Sequence, residues 1–196
     1  MNQVEYFNSL AQEWDVFCKH DTEKIRKILS FLKIETGDKV LDVGTGTGVL
    51  VPFLLEKVKE SGEILAIDIS EKMIEVAKRK LQASNLEFVN GDALSFDLKK
   101  DYYDHAVCYS MFPHFQDKRY AIDKLKEYLK VGGKIIICHS QSREAINNLH
   151  KNASDVVEND VLPTLEILEG YFIDSGYEVI ERVDTDEMFV VIAKKK

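Results

Sequence analysis

The sequence predicts an α/β fold built on one mostly parallel, seven-stranded sheet that ends in an antiparallel hairpin. Three observations carry this. Short apolar runs alternate with helix-period stretches from Lys39 to His139, and such alternation gives parallel strands joined by right-handed crossovers. The first run feeds into three alternating glycines and then a helix, in Val40-Leu41-Asp42-Val43-Gly44-Thr45-Gly46-Thr47-Gly48-Val49-Leu50. The last two runs, Tyr177 to Val183 and Met188 to Lys194, are separated only by Asp184-Thr185-Asp186-Glu187. That link is too short for a crossover, so these two strands pair antiparallel.

The elements follow in order. Residues 1–21 form an N-terminal arm with unusual aromatic weight in Tyr6, Phe7, Trp14 and Phe17. It is either a helix packed on the domain or a lid over a pocket. From Thr22, read as the N-cap, Ile25, Ile28, Leu29 and Leu32 share one helical face. Lys39 to Val43 is the first strand, apolar on both sides as a doubly covered parallel strand is. A helix from Val49 to Val58 places Pro52 in its first turn, where a missing N–H costs little. Ile64 to Asp68 is the second strand, Ser70 caps a helix with Met73, Ala77 and Leu81 inward, and Leu86 to Asn90 is the third strand. Asp104 to Tyr109, a helix from Lys118 to Leu129 stopped at Gly132-Gly133, and Lys134 to His139 complete the parallel part. Helices at Ser142 to Asn152 and Leu165 to Ser175 precede the hairpin.

At 196 residues without a linker or repeat, the chain is expected to be a single domain spanning 1–196. Its net charge of −8 argues against nucleic acid, whose binding relies on clustered Lys and Arg. Cys18, Cys108 and Cys138 show neither disulfide nor zinc spacing. No leader is evident and the apolar runs are too short to span a bilayer. The expected setting is the cytoplasm, with no membrane association.

Glycines at a strand-to-helix junction let bare backbone lie against a ligand. A dinucleotide fingerprint needs G-x-G-x-x-G, and here Val49 stands where its third glycine belongs. Asp68, at the tip of the second strand, is placed to accept ribose hydroxyls; Asp92 and the Ala93 backbone can read an adenine edge, or Asp92 can simply cap a turn. Asp42, just before the loop, suits a cationic cofactor better than an anionic pyrophosphate.

With these residues in place, the chain resembles a class I S-adenosylmethionine (SAM)-dependent methyltransferase, of the Rossmann-like type 11/25 group that includes the ubiquinone/menaquinone biosynthesis methyltransferases. Val40 to Leu50 resembles the family's first motif, Ile64 to Ser70 with Met73 the acidic second-strand motif, Asn90 to Leu94 the GDA segment, and Tyr103 to Phe115 the fourth-strand motif. Leu129 to Lys134 resembles the LKPGG turn, with Val131 in place of proline. The resemblance implies a three-layer sandwich with strand order 3-2-1-4-5-7-6 and an antiparallel last strand. It implies SAM as cofactor, S-adenosylhomocysteine (SAH) as product, and methyl transfer by in-line displacement to a small-molecule acceptor. Carried over by position, Gly44, Thr45, Gly46 and Gly48 surround the methionine end and ribose, with Asp42 just beneath. Asp68 holds the ribose, Ile69 and Met73 flank the adenine, and Asp92 with Ala93 reads its edge. Tyr109 and Ser110 lie near the methyl donor, while Tyr6, Phe7 and Trp14 close over the cofactor.

The acceptor side rests on histidines. His114, in Met111-Phe112-Pro113-His114-Phe115, and His139, at the end of strand five, fall on the carboxyl edge of the sheet and are the candidate bases. Arg143, Asn147 and His150 share one helix face, with Arg143 and His150 the candidate acceptor-binding residues. Three arrangements fit this cluster: a hydrogen-bonded scaffold, a substrate face with a base, or a metal held by histidines, for which no HxH or HxxxH spacing exists and none is expected. His105 reads as a core histidine, and His20 is within reach of the pocket. Two other functions are weighed. An NAD(P)-dependent oxidoreductase would need the missing glycine and a hydride-transfer acid; a non-catalytic SAM-binding protein would not need the polar stretch around His139. The acceptor stays open among quinone, small acid, amine, thiol and protein side chain.

Overall fold

The computed structural model describes residues 1–196. Seven strands, β1 (Lys39–Val43), β2 (Glu63–Asp68), β3 (Leu86–Asn90), β4 (Tyr103–Tyr109), β5 (Leu129–His139), β6 (Tyr177–Asp184) and β7 (Phe189–Lys195), form one sheet in the order β3-β2-β1-β4-β5-β7-β6. The pairs among β1 to β5 are parallel, while β7 runs antiparallel to both β5 and β6. This is the expected mostly parallel sheet with an antiparallel last strand. The residue pattern explains why β7 lies inside: its first five residues are all buried, as a strand covered on both faces requires, whereas β6 alternates buried and exposed as a half-solvated edge does.

The helices form the outer layers. α3 (Thr22–Leu32) and α4 (Val51–Val58) cover one face through Ile25, Leu29, Leu54 and Val58. α6 (Lys118–Tyr128), α7 (Arg143–Ala153) and α8 (Leu165–Asp174) cover the other through Ile122, Leu125, Ile146, Leu168 and Phe172. α5 (Glu71–Lys80) packs along β2 and β3. The arm folds as two short helices, α1 (Gln3–Leu10) and α2 (Trp14–Phe17), with α1 lying against α5. No helix is long and apolar enough to cross a membrane.

Most boundaries shift by a residue or two from the sequence reading, and three differences have a local physical cause. The N-cap of α3 is Asp21, whose carboxylate accepts from the Glu23 and Lys24 N–H groups at 3.0 and 3.2 Å, and Thr22 is the first helical residue. An adjacent Asp-Thr pair offers two capping oxygens, and only the backbone path decides which is used. α4 starts at Val51 rather than Val49, with Pro52 still in its first turn. Gly132-Gly133 is not a turn ending a helix; it lies within β5, at a shift in register against β4 between Tyr103 and His105. A Cβ on Gly133 would lie 2.9 Å from the Lys130 carbonyl and 3.1 Å from that of Tyr103, so the strand bends only because the residue is bare.

The Asp21 cap is separable from the rest of the fold. Asp21→Ala is expected to cost about 1 kcal/mol in chemical denaturation, the scale of a lost N-cap. Thr22→Ala is expected to cost only a fraction of that.

Candidate functional site

The site begins where β1 runs into its glycines. The sheet order reverses between β1 and β4, which opens a crevice at the strand ends where open α/β sheets take ligands. Gly44 and Gly46 turn the chain there with φ of +66° and +55°, a region most side chains avoid. A Cβ on Gly44 would sit 2.7 Å from Met111, whereas one on Gly46 would meet nothing nearer than Trp14 Nε1 at 3.9 Å. Gly46 is thus the point where backbone is left open to a ligand beneath the arm.

Two carboxylates shape this loop. Asp42 is buried, and its Oδ2 accepts from the Thr45 hydroxyl at 2.6 Å. Burial, with the nearby negative Asp68 adding to it and the Thr45 bond opposing it, pushes the Asp42 carboxyl up to about 7. Asp68 at the end of β2 accepts from the Gly46 N–H at 2.8 Å and the Ser70 N–H at 2.8 Å. Its carboxyl also lies above the ordinary range because burial outweighs those two bonds and the positive potential of His114. Ser70 caps α5 through Met73 N–H, and Met73 is buried against Ala11 of the arm. Ile69 is half-buried beside Asp68. Asp92 is exposed and accepts from the Leu94 N–H at 2.9 Å and the Ser95 hydroxyl, so its present partners are those of a turn cap; Ala93 next to it is buried.

The arm lies over this crevice. The Phe7 ring meets Tyr6, Trp14 and His114 edge-on at centroid distances of 5.4, 5.9 and 5.0 Å. Asn8 accepts from the Ser70 hydroxyl at 2.8 Å, and Asp15 from the Thr47 hydroxyl and the Lys80 ammonium. Trp14 and Phe7 therefore link the glycine loop to the histidines.

The histidines gather on the opposite side of the crevice around a residue that the sequence reading did not single out. Asp160 is buried, with its Oδ2 2.7 Å from His114 Nδ1 and its backbone carbonyl 2.6 Å from His150 Nδ1. The His114 and His150 rings are 4.9 Å apart. Burial works to raise the Asp160 carboxyl, but the bonds from His114 and Gln3 and the positive potential around it hold it below the ordinary range. His139 is 1% exposed and both its ring nitrogens lack a partner. Burial, reinforced by His114 and His150, pushes it down to about 3, so it is a neutral, weakly basic wall of the cluster. No three His, Cys, Asp or Glu side chains are arranged as a group that could hold a metal ion.

Other candidates are placed elsewhere. Asn147 and His150 face the segment after α7, Asn147 accepting from the Leu162 N–H at 2.7 Å. Arg143 on the same helix lies 3.7 Å from Asp184 at the end of β6 instead. Tyr109 points to the opposite sheet face from His139. Its hydroxyl is shared between His20 Nδ1 at 2.9 Å and Ser140 Oγ at 2.8 Å, and burial pushes it up to about 12. Ser110 follows with φ of +53°. His105 bonds Asp38 at 2.8 Å, as a core histidine does. Asp160 and Gln3 carried no signal in sequence, since each is far along the chain from the residues it meets.

Comparison with known proteins agrees with this geometry. A family model described as a methyltransferase domain matches residues 34–193. A demethylmenaquinone methyltransferase of Lactococcus lactis is 29% identical over 170 residues, covering 82% of this chain and 66% of that protein. The chain spans between about half and two thirds of the length of such relatives. Among solved structures, a Haloferax volcanii methyltransferase, described in complex with the activator Trm112, superposes with a TM-score of 0.78 at 18% identity and 96% coverage of both chains. A SAM-dependent methyltransferase from Aquifex aeolicus does so with a TM-score of 0.72 at 22% identity and 98% coverage of both.

The acidic floor of the glycine loop fits a cofactor with ammonium and sulfonium charges, and it makes binding pH-dependent. A cation favours ionised Asp42, so SAM affinity is expected to rise with pH through about 7 and level off above it. Without ligand the sign is opposite. The folded pKa exceeds the unfolded one, so Asp42 lowers stability progressively as pH rises from about 4 to about 7, and the full penalty persists above. Calorimetric titration of SAM between pH 6 and 8 checks the first trend, and Asp42→Asn should flatten it.

Proposed function

We propose a role for His114 and Asp160 on one premise: the chain belongs to the class I SAM-dependent methyltransferases. In this family the cofactor supplies a methyl group already activated on a sulfonium, which departs as a neutral thioether. The protein's tasks are then to align the acceptor, exclude water and remove a proton where the acceptor carries one.

We read residues 1–196 as one domain with 1–21 as its closing arm. The cofactor lies over Gly44, Thr45, Gly46 and Gly48 with Asp42 beneath, its ribose on Asp68 and its adenine between Ile69 and Met73. The acceptor is a small molecule that enters beside Phe7 and meets His114. The observation that carries this reading is the 2.7 Å bond between His114 Nδ1 and Asp160 Oδ2. It places the proton on Nδ1 and leaves the Nε2 lone pair to accept another, while the Asp160 carboxylate stabilises the imidazolium that forms. His114 Nε2 would take the acceptor's O–H or S–H proton and leave that oxygen or sulfur its electron pair for the methyl group that the cofactor, when bound, would supply. A carboxylate acceptor, already ionised, would have no use for such a dyad. A hydroxyl or thiol acceptor would.

The test is SAH release with panels of phenols, thiols, amines and carboxylates. A hydroxyl or thiol compound is expected to be methylated, and His114→Asn to lower that rate by roughly 10²–10⁴, the range of general base catalysis, with SAM affinity unchanged. Asp160→Asn should act in the same direction. A carboxylate as the accepted compound, turned over at the wild-type rate by His114→Asn, would overturn the assignment.

A further inference from the structure

His114 is held from two sides, and the second comes from the opposite end of the chain. Gln3 is the first residue of α1, and its side-chain amide donates to the His114 carbonyl at 3.2 Å and to Asp160 Oδ2 at 3.0 Å. Oδ2 is the same oxygen that pairs with His114 Nδ1. One amide thus grips both the main chain of His114 and the carboxylate that orients its ring.

Little else in α1 calls for that contact. The helix is capped on its own by Asn2 and Glu5, and it buries none of its residues. Its far end is tied down separately, where Asn8 accepts from Ser70 Oγ at 2.8 Å and from the Lys72 N–H at 3.2 Å. The helix thus docks through a few directional bonds and the half-buried Phe7, with no fully buried residue, which makes it one of the cheaper elements to lift. Trp14, on α2 of the same arm, stands 3.9 Å from a Cβ placed on Gly46, so the arm that carries Gln3 also covers the glycine loop. A glutamine amide suits the inner end of α1: it carries two donors and no charge. A glutamate would set a second carboxylate against Asp160.

We infer that Gln3 is a positioning residue that couples arm closure to assembly of the base: it completes the hydrogen-bond shell of Asp160, and fixes His114 in its proton-accepting orientation, only when the arm is down over the cofactor. This rests on the reading of His114 as base. Asp160, the group through which Gln3 acts, faces His114, His150 and Lys118 as its charged or titratable neighbours, with Gln116 at 3.5 Å.

The test uses the full chain with SAH bound and needs no acceptor. Hydrogen exchange of residues 3–10 and fluorescence of Trp14, the single tryptophan, follow the arm. The slowly exchanging Nδ1 proton of His114, seen by NMR, follows the dyad. Gln3→Met keeps the length and removes both donors. It is expected to speed exchange in α1 by about tenfold, the scale of one lost bond to a charged group, and to abolish the Nδ1 signal. Gln3→Glu is expected to recover the bond to Asp160 at low pH, where the protonated carboxyl supplies its single donor, and to lose it at pH 8. A merely structural contact would change α1 exchange with pH but leave the His114 Nδ1 signal unmoved. Unchanged exchange and an unchanged Nδ1 signal in Gln3→Met would overturn the inference and leave His114 as base. Wild-type turnover by His114→Asn would instead remove the base, and the positioning role with it, whatever the exchange data gave.

Discussion

The arrangement depends first on the carboxylate of Asp68. Its two oxygens hold the Gly46 N–H in the loop after β1 and the Ser70 N–H at the start of α5. One side chain thereby joins the loop, the cap of the next helix and the tip of β2. The glycines permit the turn, but permission is not a shape; a flexible loop becomes a cradle when its N–H groups are given fixed acceptors. Asp42 holds the loop from below by accepting from the Thr45 hydroxyl. The result is a loop with a negative floor at the reversal point of the sheet, suited to a cationic cofactor and costly to keep without one.

The alternation of β-strand side chains then separates two chemistries across that crevice. Asp42 and Tyr109 share a face with Val40 and Val107 in the core beneath α3 and α4, whereas His139 shares one with Ile137 beneath α6 to α8. The acidic loop therefore belongs to one layer and the histidines to the other. The two meet only at the strand ends. His139 is enclosed there with both ring nitrogens unpartnered, while His114, half-buried, is oriented by Asp160.

The arm bridges the two sides. Phe7 lies on His114, Trp14 lies over Gly46, and Gln3 reaches Asp160. The arm is thus the part of the chain that touches both sides of the crevice. α1 is held there by hydrogen bonds and by the half-buried Phe7, with none of its residues fully buried.

Local patterning was enough to show the strand order of apolar runs, the glycine loop, the carboxylates at Asp42 and Asp68 and the closing hairpin, because each rests on residues a few positions apart. The same locality explains the errors. Asp21 and Thr22 offered equal caps, and Gly132-Gly133 looks the same in a turn as in a bent strand. The sequence by itself determined the cradle, since a strand, three glycines and a helix are contiguous. Only the tertiary structure decided the histidine side. His114, His150, Asp160 and Gln3 lie on four separate segments, and no periodicity links them. Hydrogen bonds between such distant residues exist only after the sheet has brought its strand ends together, and they, rather than residue type, decide which histidines are paired and which is left without a partner.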